Sequence, residues 1–160
     1  MDTLTAELLA YLRNTWRAGV ANLTAFSTGI ATFAAVPYDT ILYDPQACIT
    51  LGANGYFTCP QDGYYSVSGT QGVTATAGAQ AAIGSVWRAP AATLVFAESH
   101  RGNYDWSYAV GNGLSCEATV LGILCSQGDL LQFRTYTSVA MAAGSSASVA
   151  SAYFAWVDPA

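Results

Sequence analysis

The chain has 160 residues, 52% of them hydrophobic and 12% aromatic, yet only 9% charged, with a formal net charge of −5. Ordinary domains are roughly one-quarter charged. The composition therefore excludes low-hydrophobicity disorder, and it excludes phosphate binding by a basic surface, because there is no lysine and the five arginines are scattered. An exterior this poor in charge must be largely Ala, Ser, Thr, Gly and aromatic, which tolerates burial against another subunit. A homo-oligomer is expected, with a monomer solubilised by hydroxyls and amides as the alternative.

In chain order, the first pattern is helical. Leu4, Leu8, Leu12 and Trp16 recur at i, i+4 spacing, and Leu9 and Tyr11 widen the stripe. Asp2 or Thr3 can cap the start, Glu7 lies near the positive end of the dipole, Arg13 and Arg17 near the negative end, and Gly19 offers a stop. The spacing predicts a helix from Thr3 to Ala18. A helix this short is marginal alone, so its stripe must dock on its own domain, on symmetry mates or on a larger partner. Residues 1–23 are accordingly read as an anchoring segment and 24–160 as the main domain. The acidic start Met1-Asp2-Thr3 is unlike a signal peptide, and no apolar run approaches the roughly 18 residues of a membrane span. Asn22-Leu23-Thr24 matches a glycosylation acceptor only by chance in a chain without export.

From about Thr24 the pattern changes to strands. β-rich runs fall at Thr40–Tyr43, Tyr56–Cys59, Tyr64–Ser68, Leu94–Phe96, Tyr104–Val110, Thr119–Cys125, Leu130–Thr137 and Val149–Val157. Turn chemistry separates them: Asn54-Gly55, Asp62-Gly63, Gly111-Asn112-Gly113, Gln127-Gly128-Asp129 and Gly144-Ser145-Ser146. Pro37, Pro45, Pro60 and Pro90 stand at run edges. Short strands in this number without intervening helices predict an all-β sandwich or jelly roll.

Gly55-Tyr56-Phe57-Thr58-Cys59-Pro60-Gln61-Asp62-Gly63-Tyr64-Tyr65-Ser66-Val67 resembles the signature of the complement component 1q globular head. Ile41–Asp44, Gly128–Phe133 and Tyr153–Val157 resemble that family's preceding strand, Gly-Asp turn and terminal aromatic strand, while Thr74–Ser115 departs from its pattern. The resemblance implies a ten-stranded jelly roll shared with tumour necrosis factor, assembled as a compact trimer whose terminal and Tyr-rich strands line the threefold interface. Tyr65, Val67, Phe154 and Trp156 then belong either near the axis or in the core. The family's collagen stalk is missing, and the Thr3–Ala18 segment stands in its place.

Constellations for catalysis fail. The one histidine, His100, follows Ser99 directly, and adjacent strand residues point to opposite faces, so they form no nucleophile–base pair. Gly111-Asn112-Gly113-Leu114-Ser115-Cys116 lacks the third glycine of a dinucleotide loop and reads as a turn. Asp39, Asp44 and Asp62 form no dense run for calcium and read as turn carboxylates. Cys48, Cys59, Cys116 and Cys125 lack metal-knuckle spacing; they allow three disulfide pairings, and in a cytosol they stay free thiols. No enzyme activity, cofactor or metal is expected. Tyr104, Trp106 and Tyr108 alternate with Asn103 and Asp105 nearby: exposed, they suit flat sugar faces; buried, they are core or trimer contact.

By analogy from the fold, these features predict a homotrimeric structural virion protein. It would be a decoration (cement) protein on the outer surface of a bacteriophage head, made in the host cytoplasm. Leu4, Leu8, Leu12 and Trp16 would grip the major capsid protein or another virion component, with neither nucleic acid nor membrane as partner. The alternative is a receptor- or glycan-binding tip of a tail or head fibre, for which the Tyr104–Trp106–Tyr108 ladder is the best support.

Overall fold

The computed structural model describes residues 17–22, 26–27, 31–74, 80–91, 93–107, 113–138, 142–143 and 150–157. Its strands are β1 (Arg17–Asn22), β2 (Phe26–Ser27), β3 (Ala34–Ala35), β4 (Thr40–Tyr43), β5 (Ile49–Thr50), β6 (Tyr56–Thr58) and β7 (Gly63–Thr74), followed by β8 (Gln80–Ala89), β9 (Glu98–Ser107), β10 (Gly113–Cys125), β11 (Leu130–Thr137), β12 (Ala142–Ala143) and β13 (Ala150–Val157). Apart from the short pairings β2, β3 and β12, ten strands make two antiparallel sheets. The first runs β10-β7-β13-β1-β4, with β12 continuing the β13 edge of β7. The second runs β9-β8-β11-β6-β5, with β3 beside β6 on the same edge of β11. Neighbours distant in sequence, such as β7 with β13 and β8 with β11, give the Greek-key crossing of a jelly roll.

The core lies between the sheets because each strand turns alternate side chains inward. Along β7, Gly63, Tyr65, Val67, Gly69, Gln71 and Val73 are buried, while Tyr64 and Ser68 are exposed. Along β11, Leu131, Phe133, Thr135 and Thr137 face in. Leu131 and Phe133 share a core cluster with Val36, Tyr38, Phe57, Cys59, Tyr65, Val67 and Val86, and the Phe57 and Tyr65 rings approach to 5.9 Å between centroids. Tyr65 and Val67 thus take the inter-sheet core of a single chain. Burying these aromatic and branched side chains gives roughly 1.5–3 kcal/mol each.

Three sequence expectations are corrected. Residues 17–22 are strand β1, bonded by β13 on one side and β4 on the other, so they belong to the sandwich, not to the helix expected through Ala18 or to an anchor ending at residue 23. Ala18 and Val20 are buried there, and sheet hydrogen bonds on both edges outweigh the local helical spacing. Leu94–Phe96 is not a strand: Leu94 adopts φ 50° after a turn in which Thr93 N donates to Pro90 O, and Leu94 and Val95 are exposed. A full strand, β8, occupies Gln80–Ala89, where Ala and Gly hid the β signal. Residues 1–16, with Leu4, Leu8, Leu12 and Trp16, lie outside the described residues, as does Tyr108.

Candidate functional site

The outward face of the first sheet is almost without charge. β7 and β10 together contain one charged residue, Glu117, and its carboxylate accepts from Ser115 Oγ at 2.6 Å. Around it lie hydroxyls, including a Ser68–Thr119 bond of 3.1 Å across the two strands. At one end the surface becomes apolar. Tyr64 stands opposite Leu124, which is 59% exposed, and Leu121, in the bulge that Gly122 makes at φ 76°, is 77% exposed. On β4, the edge strand of the same sheet, Ile41, Leu42 and Tyr43 are exposed in succession. Such an edge invites pairing unless something covers it. Phe154 and Trp156 take positions on β13 opposite Val67 and Tyr65.

The second sheet carries a different surface. Arg134 on β11 places its Cζ 4.8 Å from the Trp87 ring centroid and 4.7 Å from that of Phe96. Phe33 lies against both Trp87 and Tyr136, with centroids 5.7 and 5.5 Å apart. Arg134 Nε donates to Gln132 Oε1 at 2.6 Å, and the buried Gln132 donates from Nε2 to Gly55 O at 2.9 Å. Burial lowers the Arg134 pKa from its ordinary value. Sequence reading passed over this cluster. Its signal was a cation in the middle of the apolar run Leu130–Thr137. Tyr104 and Trp106 occupy β9 positions opposite Ile83 and Ala81, in the alternate row of β8 that continues to Ser85 and Trp87.

The remaining candidates have structural partners. Asp44 accepts Cys48 N at 2.9 Å and Ile49 N at 2.8 Å, closing a turn. Asp62 accepts Gln127 N at 2.7 Å, and Asp39 accepts the Thr40 hydroxyl at 2.8 Å. His100 and Ser99 stand on β9 opposite Val86 and Trp87. A cavity of about 10 Å³ beside Tyr38, Thr50 and Phe133 has room for a single water.

All four cysteines are buried free thiols. A hydrogen bond with Cys125, and burial, push the Cys59 thiol far above its ordinary range; burial and the nearby Asp44 push Cys48 up to about 11. Burial also raises Tyr65. In the unfolded chain thiols ionise from about pH 8.5. Folding therefore favours the protonated thiols: their contribution is fully present below that pH and is lost as pH rises toward 11, where Cys48 ionises in the fold. Urea midpoints are expected to fall steadily between about pH 8 and about pH 10.5, and a level profile would contradict buried neutral thiols.

The fold is a tumour necrosis factor-like jelly roll. The structure is similar to Eiger TNF from S. frugiperda, with a TM-score of 0.63 at 11% identity over 91% of this chain and 94% of that one. It is also similar to murine APRIL, with a TM-score of 0.58 at 10% identity over 90% of this chain and 100% of that one. PRD1 vertex protein P5 matches with a TM-score of 0.55 at 8% identity over 89% of this chain and 97% of that one. No protein-family model matches the sequence, and no curated protein is similar to it in sequence.

Proposed function

We propose that the protein is a homotrimeric structural component of a virion, a decoration protein on the outer surface of a bacteriophage head, and not an enzyme. The observation that carries this reading is the outward face of β7 and β10, one carboxylate among hydroxyls ending in exposed Tyr64, Leu121 and Leu124, together with exposed Ile41, Leu42 and Tyr43 on β4 at the opposite edge of the same sheet. Three copies closing around an axis would cover that surface with identical patches. Likeness to a vertex protein supports a place on a particle. The segment before β1, with Leu4, Leu8, Leu12 and Trp16, would then attach each subunit to the capsid protein. Three modest attachments linked through one trimer act as a single strong one. A fibre-tip receptor binder is the second reading, favoured by the Arg134–Trp87–Phe96 cluster and by Tyr104 and Trp106 in the adjoining β9.

Removal of residues 1–16, which leaves β1 intact, tests the first reading. The truncated chain is expected to sediment as a trimer and to lose about a hundredfold or more in shell affinity. A monomer at micromolar concentration, or undiminished binding to undecorated shells, would refute it.

A further inference from the structure

The outward face of β8 and β11 holds a fixed cation whose terminal nitrogens meet no acceptor among the described residues. A guanidinium has five N–H groups in a rigid plane. Among the described residues, Arg134 Nε is engaged by Gln132 Oε1 and nothing accepts from its two terminal nitrogens. The plane is held by three contacts: the buried Gln132, itself anchored on Gly55 O, and the Trp87 and Phe96 rings. No described acidic group pairs with Arg134, although this chain is acidic overall. A second polar atom at the same cluster is also unsatisfied. Trp87 Nε1 is buried with no hydrogen-bond partner among the described residues, an arrangement that folded proteins avoid unless water or a ligand supplies the acceptor.

We infer that this cluster binds the carboxylate of an acidic saccharide. A free guanidinium edge matches a carboxylate with two parallel hydrogen bonds, and the rings that fix its plane remove the entropy otherwise lost on binding. The neighbouring groups fit a sugar. Phe33, Trp87, Phe96 and Tyr136 are each only partly buried, and together they offer apolar ring surface around one oriented charge. Sugar rings present apolar C–H faces beside polar edges, the pairing that a mostly aromatic site with few placed polar groups selects. The surface belongs to the second sheet, so a trimer closed through the first sheet leaves it open to ligand, and the inference stands whether or not the protein decorates a shell.

The full chain is titrated with short oligosaccharides bearing galacturonate, glucuronate or sialate, and with their methyl esters, following tryptophan fluorescence and calorimetric heat. At least one acid is expected to bind, with its ester about tenfold weaker or worse, because charge-assisted hydrogen bonds carry that difference. Arg134→Lys keeps the charge but loses the fork, and should weaken binding about tenfold. Phe96→Ala, which leaves the second-sheet hydrogen bonds in place, should weaken it as well. The inference is overturned by binding to none of the acids, by equal affinity for acid and ester, or by unchanged affinity in both variants. An acidic peptide that displaces the sugar at equal concentration would also overturn the saccharide assignment.

Discussion

Gly84→Ala is expected to cost more than about 3 kcal/mol of folding stability and to leave little soluble protein, because the new methyl has nowhere to go. A Cβ at this position would overlap the carbonyl carbon of Glu117 and lie 2.5 Å from its oxygen and 2.6 Å from its nitrogen. These are backbone atoms of β10, held by its register with β7, so no rotamer change relieves the overlap. The two sheets would have to move apart, and every contact between them would loosen. Gly69→Ala makes a useful comparison. There the Cβ would come within 2.5 Å of the Phe133 ring, a buried side chain that can shift slightly, so a smaller loss is expected. Gly122→Ala meets nothing within 4 Å and should cost only the roughly 1–2 kcal/mol of holding an alanine at a positive φ. Urea unfolding of the three variants should rank them in that order. A Gly84→Ala protein as stable as Gly122→Ala would mean that β8 and β10 do not approach as described.

The same glycine explains why one strand was illegible in the sequence. β8 reads Gln-Ala-Ala-Ile-Gly-Ser-Val-Trp-Arg-Ala, with few of the branched and aromatic residues by which strands are recognised. Its small residues answer to the sheet opposite, not to local backbone preference, and that requirement appears only when β10 is packed against them. The runs that were legible are those whose alternation is visible within one strand, as in β7, where every second residue is buried and includes Tyr65, Val67 and Val73, and in β11, where Leu131 and Phe133 face the core. The boundary at β1 failed for the converse reason. The Leu4–Trp16 spacing is locally helical, yet the pairing of residues 17–22 with β13 is set from the far end of the chain. The Arg134 cluster was hidden in the same way: Phe33, Trp87, Phe96 and Arg134 are scattered in sequence, and only the fold sets Arg134 against Trp87 and Phe96, and Phe33 against Trp87. By contrast, the Gly55–Val67 block and the Gly128-Asp129 turn are short, contiguous and geometrically demanding, so a resemblance on a few residues was enough to point to a jelly roll.

That Gly-Asp turn carries the second large effect. Gly128 takes φ 88°, its N–H donates to Cys59 O at 2.8 Å, and Asp129 O accepts from Cys59 N at 2.7 Å, which fastens the β10–β11 turn to the end of β6. The Asp129 carboxylate then binds three further pieces of chain. It accepts from Arg88 Nε at 2.9 Å and Nη2 at 2.7 Å, from Ala91 N at 3.1 Å and from Ser126 N at 2.9 Å. Its side chain is 5% exposed against 28% for Arg88, so water cannot replace it freely. Asp129→Ala is therefore expected to lose about 3–5 kcal/mol, since one half of a buried ion pair and two backbone donors lose their acceptor together. Asp129→Asn keeps the shape and one acceptor oxygen, and should lose clearly less. Arg88→Met combined with Asp129→Asn should lose less than the sum of the two single changes, because the cation is removed along with the carboxylate that balanced it. Denaturant unfolding of the four proteins measures these differences. If Asp129→Ala proved as stable as the parent, the carboxylate would not be the clasp between β8, β10 and β11, and the turn would owe its geometry to the Cys59 backbone bonds alone.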